Sequence, residues 1–443
     1  MEFLSSLGSF LLSAIAFVLL FSILIVIHEL GHFLTARWGK VKVEEFGFGL
    51  PPKIFSKKTS RQVEFQKNDG KMGKEKETME WTLNLIPFGG FVRLYGESLE
   101  KECKGDPRAF CNRPLLWRMI ITIGGVTMNF LLAITLLILV SWLGYYPILD
   151  PNLSSSSGFQ KYFSDGHLDE WREKGFLEKR ENGVFIFAIQ QDSPAEIAGF
   201  SAGDQILSVN GTLVDSPEQF IAVQKTVPLE DKMRYEVSHF SEKEKIFTDE
   251  EKTLVRKKLE NGDGEMGVIL IPEYYFFLNP VHYPLREAIP QGLVDSKRYI
   301  FMTLGMVQSI FRSTFGRVFE GEAPKIPEGV GGPIAIAAAT HRFVQLGDFS
   351  KITQFAALLS LSLGVINVIP FPALDGARFF FQIFEGLSFF IFYPIRKIFP
   401  KLRKMPDRIP PNWETPVHFV GYILLLLFIV AVTYNDIVQF FFS

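Results

Sequence analysis

Two histidines and a glutamate close to the first apolar stretch have the spacing of a metal site. His28, Glu29 and His32 form the pattern H-E-x-x-H. Residues four apart share one face of a helix, so both imidazoles would bind one zinc ion and the glutamate would act on the attacking water. The run from Phe3 to Ile27, which leads into this pattern, carries no charged residue. Metal-binding groups at the end of such a run indicate zinc chemistry at membrane depth.

A catalytic zinc ion usually has three protein ligands and one open position, so the motif requires a third ligand. The best candidate is Asp375, which follows Asn367, Pro370 and Pro372 at the end of another apolar stretch. The two prolines cannot lie inside a regular helix, so the backbone opens where the polar residues are. The aspartate could simply cap a helix. A broken helix with polar groups at membrane depth is better explained by a cavity.

The composition is that of an integral membrane protein with domains outside the lipid. The chain has 443 residues, of which 47% are hydrophobic and 21% are charged. A bilayer is spanned by about 20 apolar residues in a helix. Four apolar stretches are long enough, namely residues 3–34, 119–149, 352–374 and 416–434. The sequence therefore predicts four transmembrane helices.

The distribution of charge indicates which segments face the cytoplasm. Residues 37–118 contain 17 Lys and Arg against 11 Asp and Glu, residues 376–414 contain 7 against 3, and residues 150–351 contain 22 against 30. Cytoplasmic loops collect Lys and Arg, so the two basic segments should lie in the cytoplasm and the acidic one outside. Both termini are then expected outside. Cys103 and Cys111, in the first basic segment, fit no metal spacing and are expected to be thiols.

The first basic segment contains an apolar strand, turn and strand over residues 81–95. Pro87, Gly89 and Gly90 form the turn, and Phe91 begins the second strand. One interpretation is a small β-domain that packs on the helices, which the residue pattern alone favours. The other is a hairpin that enters the membrane and offers an edge to an extended substrate.

The second apolar stretch carries small and polar residues that a lipid-facing helix does not need. Gly124 and Gly125 would let this helix approach a neighbour closely, and Asn129 must find a polar partner within the bundle. Helix packing and a role in the site explain Asn129 equally well.

Residues 183–222 resemble a bacterial PDZ domain, which would continue to about residue 273. A strand is followed by a short helix, a turn at Gly203-Asp204, a second strand and a turn at Asn210-Gly211. PDZ domains bind extended peptides by strand addition, so a peptide or substrate tail is an expected partner. After this segment, residues 293–319 have apolar positions at helical spacing, which suit a helix on the membrane surface or against the PDZ domain, and core packing explains them at least as well as contact with lipid.

Together these motifs resemble the site-2 protease family of intramembrane zinc metalloproteases, in the bacterial branch that includes regulator-of-sigma-E protease. The resemblance covers nearly the whole chain and includes residues 28–32, 87–92, 331–334 and 367–376, the PDZ-like segment, and Gly125 with Asn129. It departs from related proteins at Val126, where proline is common, and from the better-known enterobacterial relatives, which have two tandem PDZ domains, in having room for only one.

The resemblance implies roles for particular residues. His28, His32 and Asp375 would bind Zn²⁺, Glu29 would be the catalytic base, and Asn367 would contact the substrate backbone. Residues 88–96 would form a membrane-embedded loop that presents substrate, which makes Gly89, Gly90 and Phe91 candidate substrate-binding residues, with Asn129 a further candidate.

The implied activity is hydrolysis of peptide bonds within transmembrane segments of single-span proteins whose outer domain has already been removed. Anti-sigma factors and remnant signal peptides are the implied substrates, membrane lipid is an expected partner, and no nucleic acid is. The implied location is the bacterial inner membrane, with the active site near the cytoplasmic side. The alternatives are a transporter or channel, which would also have broken helices and buried polar groups but no stoichiometric zinc, and an inactive PDZ scaffold, which would have no need for the intact H-E-x-x-H pattern.

The expected fold is a polytopic α-helical membrane protein with four transmembrane helices, a membrane-associated β-hairpin region and one extracytoplasmic, mainly β PDZ domain. The expected segments are transmembrane helix 1 with the zinc motif (1–37), a cytoplasmic loop with the hairpin (38–118), transmembrane helix 2 (119–149), an extracytoplasmic linker (150–182), the PDZ domain (183–273), an interfacial segment (274–350), transmembrane helix 3 with the Asn/Pro/Asp motif (351–376), a basic cytoplasmic loop (377–414) and transmembrane helix 4 (415–440).

Overall fold

The computed structural model contains nine α-helices and ten strands within the residues that it describes, together with a short 3₁₀ helix at Phe110–Asn112 and a π-helical segment at Phe311–Gly316. Those residues are 2–66, 72–97, 106–145, 170–189, 193–229, 231–241, 246–257, 266–272, 274–317, 331–345, 347–398 and 411–441. The helices are α1 (Glu2–Trp38), α2 (Leu115–Leu143), α3 (Pro194–Ile197), α4 (Pro217–Lys225), α5 (Leu285–Ile310), α6 (Pro333–Gln345), α7 (Phe349–Val368), α8 (Asp375–Ile398) and α9 (Pro411–Phe441). The strands are β1 (Val43–Gln66), β2 (Met72–Leu94), β3 (Leu177–Arg180), β4 (Val184–Ile189), β5 (Gln205–Val209), β6 (Thr212–Leu213), β7 (Lys232–Ser241), β8 (Ile246–Val255), β9 (Val268–Ile271) and β10 (Tyr274–Phe277).

The chain forms two compact units. The first consists of Met1–Trp142 and Pro284–Ile437, and the second consists mainly of Leu143–Tyr283. Four helices of the first unit are long and apolar enough to cross a membrane, which confirms the predicted number of spans. These candidate spans are Leu12–Trp38, Leu115–Leu143, Phe349–Val368 and Pro416–Val438.

The α1 and α2 helices cross with their backbones in contact. A Cβ atom at Gly31 would lie 2.1 Å from the carbonyl oxygen of Gly124, so a side chain at this position would push the helices apart. The predicted close approach at Gly124 and Gly125 is therefore confirmed. Only glycine permits this separation, and the crossing places the metal-site motif of α1 directly against α2.

The apolar segment 81–95 does not form a hairpin with itself, contrary to the strand, turn and strand pairing expected from its sequence. Phe46 of β1 pairs with both Trp81 and Val92, so β1 lies between the two halves of β2. Local sequence marks a turn at Pro87 but cannot show which strand fills the space between its arms. The turn packs on α1, where Ser22 donates a hydrogen bond of 2.7 Å to the carbonyl oxygen of Pro87.

The structure differs from two further predictions, one for residues 377–414 and one for Cys111. The predicted basic loop 377–414 begins as α8, and Asp375 is the first residue of that helix. This segment is amphipathic at helical spacing, so it forms a helix rather than a loop. Cys111 is disulfide-bonded rather than a free thiol, and Cys103 lies outside the described residues.

Buried polar contacts fix α8 against α2. Arg118 donates to both carboxylate oxygens of Glu385, and the arginine side chain is 6% exposed. One turn away, Gln382 donates a hydrogen bond of 3.0 Å to the hydroxyl of Thr122. Because a buried charge without its partner is costly, this ion pair sets the register between the helix that begins at Asp375 and the helix beside the H-E-x-x-H motif.

The second unit contains a six-stranded antiparallel sheet in the order β8-β7-β5-β4-β9, with β6 paired to β5. The order of its elements is the one expected for the PDZ-like segment, and each short helix begins with a serine cap, at Ser193 and Ser216. Its core is a cluster of buried apolar side chains: Val184, Ile186, Ala195, Phe200, Ile206, Val209, Val214, Phe220, Met233, Tyr235, Val237, Leu254 and Met266. Strands β3 and β10 form a separate antiparallel pair.

Candidate metal centre

Three side chains that lie far apart in the sequence converge on one point in the first unit. The Nε2 atoms of His28 and His32 are 3.2 Å apart, and Oδ2 of Asp375 lies 3.0 Å from the first and 3.2 Å from the second. Each residue offers one ligand atom, and the three residues form a group that could hold a metal ion. The sequence-based choice of Asp375 as the partner of the two histidines is therefore matched by its position.

The spacing of these donor atoms fits zinc. Protein ligands lie about 2.0–2.1 Å from zinc, so donors at neighbouring corners of a tetrahedron are about 3.3 Å apart. The three distances between Nε2 of His28, Nε2 of His32 and Oδ2 of Asp375 are 3.0–3.2 Å. Two imidazoles and one carboxylate also form a donor set that catalytic zinc commonly uses, with the fourth position left for water.

The other ring nitrogens contact groups that orient the two imidazoles. The Nδ1 atom of His32 donates a hydrogen bond of 2.8 Å to the carbonyl oxygen of Ile121, which leaves the lone pair of Nε2 for a metal ion. The Nδ1 atom of His28 lies 3.0 Å from the side-chain amide of Asn129. That amide is fully buried, and its Oδ1 atom has no hydrogen-bond partner among the described residues. With Oδ1 turned toward the ring, it would accept from Nδ1–H and satisfy both groups.

Glu29 contacts the edge of the β-region. Its Oε2 atom accepts a hydrogen bond of 3.1 Å from the backbone N–H of Val92 in β2. Glu29 lies about 100° around α1 from His28, so its side chain projects beside the face of the two histidines, where it meets β2. A strand edge and a carboxylate are thus within hydrogen-bond distance of each other beside the three candidate ligands.

The candidate ligands and Glu29 line one cavity of about 240 Å³. Other lining residues come from β2 and the segment between β2 and α2, from α2, from the turn before α8, from α8 and from α9. They are Phe91, Val92, Leu94, Glu97, Phe110, Ile121, Thr122, Ala373, Leu374, Arg378, His418 and Tyr422. Gly125 of α2 lies against the two imidazoles, because an added Cβ atom there would be 2.4 Å from Nε2 of His32 and 2.7 Å from Nε2 of His28.

The remaining predicted site residues take different places. Phe91 lines the cavity, whereas Gly89 and Gly90 pack on α1 beside Ile25 and Val26, where added Cβ atoms would lie 3.2 Å and 3.1 Å from those side chains. The described lining of the cavity does not include Asn367. Asn129 contacts His28 and lies outside the lining.

Sequence reasoning missed the cavity residues of α8 and α9. Arg378 lies one turn after Asp375 and contacts Glu97, and His418 and Tyr422 lie one turn apart on α9. One signal was present for His418, since a histidine at the end of an apolar span is costly to bury in lipid and favours a functional role.

Comparisons with known proteins point to one family. The sequence model of the family described as peptidase family M50 matches residues 16–68 and 71–391 of this chain. The chain is 26% identical over 470 residues to the zinc metalloprotease RasP of Shouchella clausii, covering 96% of this chain and 99% of that protein. It is also 26% identical over 487 residues to RasP of Oceanobacillus iheyensis, covering 97% and 99%. Among solved structures, the PDZ domain of an SdrC-like protein from Listeria monocytogenes is similar at 20% identity and a TM-score of 0.18, covering 21% of this chain and 90% of that one.

Proposed function

The chain belongs to peptidase family M50, and we propose that its protease chemistry takes place where His28, His32 and Asp375 meet Glu29. It is a zinc-dependent intramembrane metalloprotease with four candidate membrane helices. The observation that carries the assignment of residues is the convergence of three donor atoms within 3.2 Å of one another in a cavity that Glu29 also lines.

In this proposal the residues of the chain divide the work of peptide hydrolysis. When bound, zinc supplies a Lewis acid that polarises the scissile carbonyl and lowers the pKa of water. Glu29 takes the proton from the attacking water and then delivers it to the leaving amine. The hydrogen bond from Val92 N–H to Oε2 holds the carboxylate of Glu29 in place. His28 and His32 keep their ring planes through their Nδ1 contacts with Asn129 and Ile121.

The proposed substrates are transmembrane segments of single-span proteins, such as anti-sigma factors or remnant signal peptides. A transmembrane helix hides its peptide bonds, so it must unwind before hydrolysis. A strand edge next to the base supports this step, because an unwound segment could pair with the backbone around Phe91 and Val92. Asn367 remains a candidate for fixing the substrate backbone, together with Gly89 and Gly90, which shape the turn of β2.

The proposed orientation follows the charge of the segments. The basic segments 38–118 and 377–414 would face the cytoplasm of a bacterial cell, and the linker 150–182 and PDZ domain 183–273 would lie outside, together with both termini. Residues 274–350 would follow at the outer interface. His28 and Asp375 would then lie near the cytoplasmic side, from which water reaches the cavity.

The proposed function is tested with purified protein in detergent or liposomes and a single-span reporter. One zinc ion per chain, together with cleavage within the apolar segment of the reporter that stops on chelation and returns with zinc, is the expected result. A transporter would bind no stoichiometric zinc and an inactive scaffold would cut no reporter, so metal analysis and gel electrophoresis separate these alternatives.

Replacing Asn129 by leucine is expected to weaken zinc binding roughly 10–100-fold, the usual effect of losing a group that orients a metal ligand. The amide contacts Nδ1 of His28 at 3.0 Å and is fully buried, so the similarly sized leucine removes the contact without leaving a cavity. Zinc affinity is measured by competition with a chelator. Thr127→Val on the exposed face of α2 serves as the control. Equal affinities for Asn129→Leu and the control would contradict this role.

Removing the PDZ-like domain is expected to let the protease cut substrates with larger outer domains. Arg180 and Tyr274 are Cα partners across β3 and β10, so deleting residues 183–273 leaves Glu181 and Asn182 as a two-residue hairpin loop. Asn182 already has a φ of 55°, the left-handed conformation that the second residue of a type I′ loop requires. Reporters of increasing outer-domain length are incubated with both forms of the protein. An unchanged size limit, with short reporters still cut at the normal rate, would refute gating by this domain.

A further inference from the structure

One histidine of α9 is hydrogen-bonded to the turn that precedes Asp375. His418 lies on α9, beyond the residues that the family model matches, which end at residue 391. Its Nδ1 atom accepts a hydrogen bond of 3.1 Å from the backbone N–H of Ala373. Ala373 lies two residues before Asp375, and both residues line the same cavity as His418. The contact therefore joins α9 to the segment that carries the third candidate zinc ligand.

The turn at Ala373 has a backbone conformation that needs support. Ala373 has a φ of 89°, a region in which a residue with a Cβ atom is strained by about 1–3 kcal/mol. Such a conformation persists only where the surroundings hold it in place. Three residues beyond His418, an added Cβ atom at Gly421 would lie 2.3 Å from the carbonyl oxygen of Pro372, so the backbone of α9 rests directly on the turn. The α9 helix thus contacts the turn twice.

Asp375 depends on this turn because of its place in the fold. It is the first residue of α8, so no helical turn precedes it to fix its position. The Arg118–Glu385 ion pair lies about three turns further along α8 and fixes the helix rather than its first residue. The direction of the Asp375 side chain is therefore set by the backbone of residues 372–374, which α9 contacts.

We propose that His418 is a positioning residue of the protease, which holds Ala373 in its left-handed conformation and thereby directs Asp375 toward the two histidines. The acceptor role of Nδ1 makes His418 a neutral imidazole with its proton on Nε2. The inference rests on the proposed role of Asp375 as a zinc ligand. The α9 helix, which lies beyond the residues that the family model matches, would thus help to form the metal centre.

The test compares zinc affinities of the full-length protein in detergent, by competition with a chelator and without any substrate. His418→Leu removes the acceptor and is expected to weaken zinc binding roughly 10–100-fold. His418→Asn is expected to stay within about threefold of the original chain, because the Asn Oδ1 atom occupies the position of Nδ1 and can accept the same hydrogen bond. Phe419→Leu, at a neighbouring side chain that is 64% exposed, is the control and should have no effect.

A second comparison separates positioning from mere packing. Glycine adopts a φ near 89° without strain, so Ala373→Gly should make the turn less dependent on His418. The loss caused by His418→Leu is therefore expected to be several-fold smaller in the Ala373→Gly background. Where His418→Leu does not fold, the same cycle with His418→Ala gives the answer. Cobalt-substituted protein provides a spectroscopic readout, since a displaced Asp375 changes the visible absorption of the bound Co²⁺.

Two results would overturn the proposal. One is an equal zinc affinity for His418→Leu and the control, and the other is an equal loss for His418→Leu and His418→Asn that Ala373→Gly does not reduce. Asp375→Asn is measured in parallel. If that variant binds zinc as tightly as the original chain, the proposed ligand set is wrong whatever the His418 variants do, so the two failures are distinguishable.

Discussion

The Glu29→Gln variant is expected to retain its zinc and to lose proteolysis by about 10²–10⁴-fold, the usual contribution of a general base. Glutamine has nearly the shape of glutamate, and its side-chain oxygen can still accept the hydrogen bond from Val92 N–H. It cannot take a proton from the attacking water. The three candidate ligand atoms belong to His28, His32 and Asp375, so the metal centre should remain intact. Metal analysis and cleavage of a single-span reporter measure the two properties separately.

The matched control for this variant is Glu44→Gln, which removes one carboxylate from β1 at an ion pair with Arg93. That change should leave both zinc content and cleavage unaltered. Cleavage by Glu29→Gln at more than about a tenth of the original rate would contradict the base assignment, because removal of a general base usually lowers the rate by about 100-fold or more. Loss of zinc from the variant would instead show that Glu29 is needed for zinc binding.

Gly125→Ala is expected to abolish zinc binding, with a loss of affinity larger than the roughly 100-fold limit for groups outside the ligand shell. The added methyl group would lie 2.4 Å from Nε2 of His32 and 2.7 Å from Nε2 of His28. Both nitrogens would have to move, and each ring is held at its other nitrogen by Ile121 or Asn129. A single methyl group therefore blocks the position at which the donors converge, and proteolysis should disappear with the metal.

Gly364→Ala on α7 is the control for this effect of size. Its added Cβ atom would lie 3.4 Å or more from Phe130 and Asn129, which is ordinary van der Waals contact. Zinc affinity should therefore be unchanged. Thermal unfolding of the zinc-free proteins shows whether Gly125→Ala has also weakened the packing of α1 against α2. Normal zinc content in Gly125→Ala would show that the metal centre lies elsewhere.

Much of the candidate site follows from local sequence. The H-E-x-x-H pattern fixes two imidazoles on one helical face, and two prolines in an apolar span mark the open backbone before Asp375. Hydrophobicity alone locates the four candidate spans, since each must cover the same bilayer thickness. These inferences succeed because each depends on residues that are neighbours in the chain.

The remainder depends on contacts between distant segments. The pairing of Phe46 in β1 with both Trp81 and Val92 could not be predicted from the sequence. The alternation of apolar and polar residues identifies a strand but does not show which strand it pairs with. The same holds for the bond between His418 and Ala373, and for the contact of Glu29 with Val92. In each case the sequence shows a residue that needs a partner, and only the fold shows which partner it has.

The distance along the chain between the histidines and Asp375 has a consequence for biosynthesis. His28 and Asp375 are 347 positions apart, and the helix that supports the Asp375 turn is the last one described. At about 5–20 residues per second, a ribosome needs about 20–70 s to complete that interval. During this time the first two helices can already occupy the membrane with only two of the three donors. With the proposed ligand set, a nascent chain would lack a complete metal centre during this time, and the capacity to cut would arise only when synthesis is nearly finished.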